Sequence, residues 1–498
     1  MAARALALMG LALVSAPLPA AAQQDPVAGL DDYVRQVMHD WEAPGIAVAV
    51  VKNGRVVLAR GYGVRELGRP EEVDAATVFA IASTSKAFTT AALGMLVDAG
   101  QLSWDDRVID HLIGFRLSDP YVTREMTVRD LLSHRSGLSR GDLLWYASPL
   151  DRDEVVYRVR DLEPAWSFRS RYGYQNIMFT TAGEIVEAVT DTTWDEFVAA
   201  RIFEPLGMTT STTTIRDLDG RANKATPHGK IDGEVTPIPW RNFDNLGGAG
   251  SINSSVQDMA RWMLLQLGEG TYEGVQLLSD SVVKEMHTPQ TIVRRGKTDE
   301  EMFPETHFSA YGLGWRLMDY RGRYIVRHGG ALDGMRTHVL LVPEEELGVV
   351  AITNVNDGRI PQAIVWHVVD AYLGPQDKDW NEVYLEAAEK SRARADSARA
   401  KVELERVEGT TPTHALEDFA GMYASELFGT AVVEATDGAL VIHVGPYFVG
   451  DLEHWHYDTF RATWRDRYFG RDWVEFELDR AGKVASVTIP GFGKFARE

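Results

Sequence analysis

The stretch "IASTSKAFTT", residues 81–90, places Ser83 three positions before Lys86, between a short apolar run and a helical pattern. If Ser83 opens the helix, the two residues share a face and the amine lies one turn below the hydroxyl. A neutral amine there can take the serine proton, and burial with neighbouring cations lowers a lysine's pKa for that task. The helix start also offers backbone N–H groups to a developing oxyanion. The plainer reading is a serine cap ahead of a first helical turn. S-x-x-K is a cheap match, because Ser281 and Lys284 repeat it in "LSDSVVKEMH". There Ser279 reads as the cap and Lys284 falls on the polar face of an amphipathic helix.

Two further stretches carry chemistry. In "RYGYQNIMF", Tyr174 and Asn176 precede an apolar helix. A phenol flanked by cations can be pushed toward phenolate and act as a base. An asparagine two residues on can bond both Lys86 and a substrate amide. Tyr172 lacks that asparagine. Ser251 and Asn253 offer a competing S-x-N in a glycine-rich loop, and it ranks below Tyr174. In "IVRHGGALDG", His328-Gly329-Gly330 closes a strand, with His328 and Arg327 on opposite faces. Two glycines let a substrate backbone approach the strand edge. The N–H of Ala331 then becomes a second oxyanion donor beside that of Ser83. Gly137-Leu138-Ser139-Arg140-Gly141 is a formal G-x-S-x-G, but a nucleophile elbow needs a buried strand before it. The preceding "TVRDLLSHRS" reads as helix, so this stretch is expected to be a loop.

Around these motifs the chain reads as α/β. Asn53-Gly54 between two β-rich runs predicts a hairpin. From Gly312, "GLGWRLMDY", "GRYIVRHGG", "RTHVLLVP" and "LGVVAITNV" predict an antiparallel sheet flanked by helices, which the early strands share, with a helical lobe between. The expected units are a signal peptide over 1–22, a hydrolase domain over 23–375, a helical linker over 376–412 and a small all-β, barrel-like domain over 413–498.

The three motifs occur in order on a helix start, a loop and a strand end. Together they resemble the serine β-lactamase and penicillin-binding-protein superfamily over residues 28–372, in the branch of class C enzymes, esterases and D-aminopeptidases (peptidase S12-like). "LLSHRSGL" and "HGGALDG" also look like that branch. The C-terminal "DLEHWHYDTFRATWRD" resembles a β domain often appended to such hydrolases. The resemblance implies an acyl-enzyme on Ser83, proton shuttling by Lys86 and Tyr174, and Asn176 as a lysine and substrate contact. It places His328, Gly330 and Ala331 on the substrate and oxyanion side. Many relatives have lysine where this chain has His328, which is mostly neutral at pH 7. That points away from strong β-lactamase activity and toward esterases and D-amino-acid peptidases.

Bulk properties narrow the classes. With 498 residues, 51 Lys+Arg and 72 Asp+Glu, the net charge is −21, which argues against nucleic acid and anionic membranes as partners. There is no cysteine, so disulfides and thiol chemistry are excluded. Arg4, the apolar run Ala5–Val14 and the small residues Ala20 and Ala22 read as a cleavable export signal, giving a periplasmic or secreted protein starting near Gln23. His454 and His456 share a strand face but lack a third ligand, so no metal or cofactor is expected. The expectation is an exported serine hydrolase for a small ester, lactam or short peptide. A D-stereospecific peptidase or carboxypeptidase acting on cell-wall-type peptides is the alternative. A non-catalytic peptidoglycan-binding receptor is the third reading, and its signature would be a lost motif residue.

Overall fold

In the computed structural model, residues 26–374 and 378–498 are described, and the export signal read over 1–22 lies outside them. The hairpin at Asn53-Gly54 joins β1 (Gly45–Lys52) and β2 (Arg55–Gly63); both turn residues have positive φ, 50° and 70°. That left-handed pair matches the twist of the flanking strands. Six later strands complete the sheet: β3 (Thr291–Ile292), β4 (Ser309–Tyr311), β5 (Arg316–Tyr320), β6 (Arg323–Leu332), β7 (Met335–Val342) and β8 (Leu347–Thr353). The order is β2-β1-β8-β7-β6-β5-β4-β3, antiparallel throughout. β1 pairs with β8, Ile46 opposite Thr353, so the early and late strands share one sheet.

Both faces of this sheet are covered. Along β1, Ala47, Ala49 and Val51 enter one core while Ile46, Val48 and Val50 enter the other. A strand buried on both sides reads as one unbroken apolar run, which "GIAVAVV" is. The helices are α1 (Leu30–Trp41), α2 (Ser85–Asp98), α3 (Asn176–Thr190), α4 (Val256–Leu267), α5 (Asp280–Met286), α6 (Arg359–Leu373) and α7 (Trp380–Leu404), with shorter turns between. α1 and α6 cover one face. The helical lobe, centred on α2, covers the other. Every residue of α2 from Ser85 to Leu96 is buried, so it runs through the core rather than along a surface. α7 is largely exposed and leads to the second unit.

That unit is a closed eight-stranded barrel of consecutive antiparallel strands, from Gly421–Ser425 to Gly493–Arg497, the last pairing back onto the first. Alternate positions point inward, so Ala431, Val433, Leu440, Ile442, Phe460, Trp464, Val474 and Phe495 fill its interior. His454 and His456 bond backbone groups, at Tyr457 O and Val407 N. Among the described residues no helix is long and apolar enough to cross a membrane.

Candidate active site

The segment carrying Ser83 enters on a two-residue strand, Phe79–Ala80, paired with Asn253–Ser254. A 3₁₀ turn over Ala82–Thr84 then leads into α2. Ala82 has φ 50°, a left-handed conformation that costs a non-glycine residue about 1 kcal/mol or more. This kink presents Ser83 part-exposed, while Lys86 on the next turn is 0% exposed. The Ser83 side chain caps nothing; Thr84 and Ser85 hydroxyls bond back to Ile81 O and Ala82 O instead.

The surroundings of Lys86 decide its chemistry. Its Nζ lies 2.8 Å from Asn176 Oδ1, 2.7 Å from Ala249 O and 3.2 Å from Ser83 Oγ. Burial drives its pKa well below the usual lysine value; Asp142 opposes and Arg140 assists. A neutral amine has two hydrogens and one lone pair. Asn176 and Ala249 take the hydrogens at the shorter distances, which leaves the lone pair directed at the Ser83 hydroxyl.

Asn176 is held at the first position of α3, with Gln175 capping the helix through Ile177 N. Its Oδ1 accepts from Lys86 and its Nδ2 donates to Asp142 Oδ1 at 2.9 Å. The amide expected to contact both Lys86 and a substrate thus bonds Lys86 at one end and Asp142 at the other. Tyr174 reaches Ser83 with its hydroxyl, while Lys86 sits over its ring at 4.9 Å. The expected phenolate does not form at neutral pH. Burial raises the Tyr174 pKa, and the Ser83 hydrogen bond and the charges of Arg316 and Arg140 do not reverse it. Tyr174 is a phenol, a donor rather than a ready base.

β6 brings the third motif. β5 pairs with it as far as Arg327, and beyond that Ile81 and Ala82 pack against Gly330. A Cβ on Gly330 would stand 2.1 Å from Ile81 O, so this glycine is required by the segment before Ser83 rather than by an approaching substrate. Counting the ladder back from the two-residue turn at Asp333-Gly334, hydrogen-bonded pairs alternate, and the N–H of Ala331 faces away from β7. That N–H is therefore free of the β7 ladder, and Ala331 is itself exposed.

His328 departs from expectation. It is 3% exposed, its Nδ1 is 2.7 Å from Gly329 O and its Nε2 is 2.9 Å from Tyr311 OH. The carbonyl can only accept, so Nδ1 carries the hydrogen and Nε2 accepts from Tyr311. Neither nitrogen is left for a substrate. Burial, then the charges of Lys86 and Arg316, lower its pKa to about 3, so it is neutral.

Several residues here escaped the sequence reading. Asp142 accepts from Asn176 Nδ2, Trp145 Nε1 (3.0 Å) and Arg140 Nε (2.5 Å). It directly follows the formal G-x-S-x-G, which is a loop whose Ser139 bonds Glu163 O. His134, inside "LLSHRSGL", packs its ring 4.2 Å from Tyr174 and 4.5 Å from Tyr311, with Nδ1 accepting from Gln175 N. The competing Ser251 bonds Gly247 O of its own loop, and Asn253 donates to Thr212 Oγ1 and Thr214 O of a separate segment.

Comparison with known proteins fits this geometry. The Beta-lactamase family model matches residues 30–371. The chain belongs to the beta-lactamase family. A second model, a domain of unknown function (DUF3471), matches residues 405–497, which span the barrel. This beta-lactamase-family chain is similar to the unguisins hydrolase ungD' of Aspergillus campestris, 29% identical over 385 residues, 74% of this chain and 70% of that protein. It is 28% identical to the unguisins hydrolase ungD of Aspergillus violaceofuscus, over 82% of this chain and 77% of that one. Protein flp of Staphylococcus aureus is 24% identical over 67% of this chain and 64% of its own length. The octameric penicillin-binding protein homologue from Pyrococcus abyssi shares the fold, with TM-score 0.65, 21% identity, and 95% and 100% of the two chains covered. Family and relatives make this beta-lactamase-family protein a serine hydrolase.

Proposed function

We propose that the protein hydrolyses esters or amides through an acyl-enzyme on Ser83, with Lys86 as the base. The observation that carries this is the setting of Lys86: fully buried, its Nζ has two acceptors, Asn176 Oδ1 and Ala249 O, and Ser83 Oγ at 3.2 Å, so that as a neutral amine it turns its electron pair to Ser83. In the first step the Ser83 proton passes to Lys86 as Oγ bonds to the acyl carbon. The oxyanion lies between the N–H groups of Ser83 and Ala331. Tyr174, a phenol, donates toward the leaving atom and regains its proton from the Lys86 ammonium, so the alcohol or amine departs protonated. Water then attacks the acyl-enzyme by the same steps reversed, releasing the acid and restoring Ser83.

Treatment with a fluorophosphonate or an activated ester, followed by intact-mass measurement, is expected to add one adduct on Ser83. Ser83→Ala should abolish the adduct without unfolding the chain. Full labelling of a folded Ser83→Ala protein would overturn the reading. The relatives named as hydrolases of unguisins motivate a second arm in which unguisins and D-Ala p-nitroanilide are compared with p-nitrophenyl esters. Faster turnover of the amide substrates would favour the peptidase alternative. The reading includes export, and N-terminal sequencing of the mature chain should begin near Gln23.

A further inference from the structure

The barrel touches the hydrolase domain at a buried ion network beside the site. Arg241 donates from Nε to Asp333 at 2.8 Å and from Nη2 to Asp466 of the barrel at 3.0 Å. The Arg241 and Asp333 side chains are each 8% exposed. The guanidinium lies 4.7 Å from the Phe469 ring centroid and 5.6 Å from that of Tyr447, both in the barrel. Asp333 also accepts from Tyr146 OH at 2.8 and 3.0 Å.

Each end of this network leads to the catalytic groups. Asp333 is at the tip of the β6–β7 hairpin, two residues after Ala331. Tyr146 is on the loop that carries Asp142, the partner of Asn176, and Trp145 beside it donates to Asp142. The far end of that loop is anchored in the barrel, since Ala147 belongs to the barrel's core cluster and Leu143 and Tyr146 pack against it. Contacts therefore run unbroken from Asp466 through Arg241, Asp333 and Tyr146 to Asp142, Asn176 and Lys86.

We propose that the barrel is a positioning domain for the active site: Asp466, acting through Arg241 and Asp333, holds the Asp142 loop and so keeps Asn176 on Lys86 and water away from the amine. This rests on the acyl-enzyme reading above. The Arg241 guanidinium is shared between two carboxylates, Nε on Asp333 and Nη2 on Asp466, so removing one leaves a buried guanidinium half paired and frees the loop. Lys86 faces Asp142 and Arg140 of the loop, Ser83, Tyr174, and the imidazoles of His134 and His328. Of these surroundings the exclusion of water acts most strongly on its proton affinity, so a loosened loop moves that affinity back up.

The test follows acylation of the full chain by an activated ester between pH 5 and 10. Asp466→Ala and Arg241→Gln should each lower the acylation rate at pH 7 by about 3- to 30-fold. Each should also move the alkaline-rising midpoint upward by about half a unit or more. Asp466→Glu should recover much of both. Asp466→Asn keeps the side-chain volume and serves if the alanine variant is poorly folded. Folded variants with wild-type midpoints would overturn the proposal, because a purely stabilising contact would lower melting temperature without moving a pH midpoint. If wild-type protein takes no adduct on Ser83, the acyl-enzyme reading fails instead, so the two failures are separable.

Discussion

Ser83–Lys86 and Ser281–Lys284 have the same spacing, and each lies at the start of a helix. They differ in what lies around them. At α5, Ser279 caps the helix through Val282 N, Ser281 is exposed and bonds Ser279, and Lys284 points into solvent. At α2 the preceding Ala82 is forced into a left-handed turn, the serine caps nothing, and the lysine is enclosed by Asn176 and Ala249 O. Burial disfavours the charged form of an amine, and it drives the Lys86 pKa well below the usual lysine value. The chemistry thus comes from burial and from the two acceptors, neither of which the four-residue spacing encodes.

The largest test of that difference exchanges each lysine for a side chain of similar length. Lys86→Met should lower acylation of an activated ester by about 10²- to 10⁴-fold, while Lys284→Met leaves the rate within twofold. Stopped-flow acylation of the two variants reads this directly. Equal effects would erase the distinction between the two sites.

The next effect concerns the close contact that only the Ser83 site has. Gly330→Ala places a methyl 2.1 Å from Ile81 O, so the Ser83 turn or β6 must shift. Overpacking of this kind costs about 1–3 kcal/mol. Urea unfolding should show that loss, accompanied by slower acylation, whereas Gly329→Ala, with its nearest atom at 3.4 Å, should be milder.

Much of this was legible in the sequence where the signal is local. The hairpin follows from two turn residues, and the late strands follow from short runs between turns. Recognition of the site followed from three motifs in order. What was not legible depends on tertiary enclosure. Ala249 contributes a carbonyl, which no residue pattern reports. Asp142 follows a G-x-S-x-G that forms a loop and no elbow, and its value appears only once that loop folds over α3. Tyr174 was read with its neighbouring cations but without its burial, and burial has the larger effect. His328 was read as facing a substrate because alternation gives the face but not the neighbour, and the neighbour is Tyr311.

A smaller effect should appear in stability. Burial first, then Lys86 and Arg316, hold the His328 pKa at about 3 in the folded chain, against about 6.5 when unfolded. Between those values the unfolded chain binds a proton that the folded chain does not, so stability is full above pH 6.5 and falls as the pH drops through the window. The slope is at most about 1.4 kcal/mol per pH unit for one group. His328→Gln should flatten the decline of the urea midpoint between pH 6.5 and 4. An unchanged slope would mean that His328 charges freely and is not enclosed as described.

The smallest effect has the most informative sign. The charge of Asp142 favours the ammonium form of Lys86, opposing burial and Arg140. Asp142→Asn keeps an acceptor for Trp145 and removes the negative charge, so the amine should lose its proton more easily and the acylation midpoint should move down by about half a unit. Loosening the loop from the barrel side, by Asp466→Ala, is expected to move the same midpoint up, because water then reaches the amine. One site, two substitutions and opposite shifts separate the charge of Asp142 from its place in the loop. If both shifts have the same sign, Lys86 is governed by charge alone or by solvent alone. In that case the enclosure that distinguishes it from Lys284 is not what tunes it.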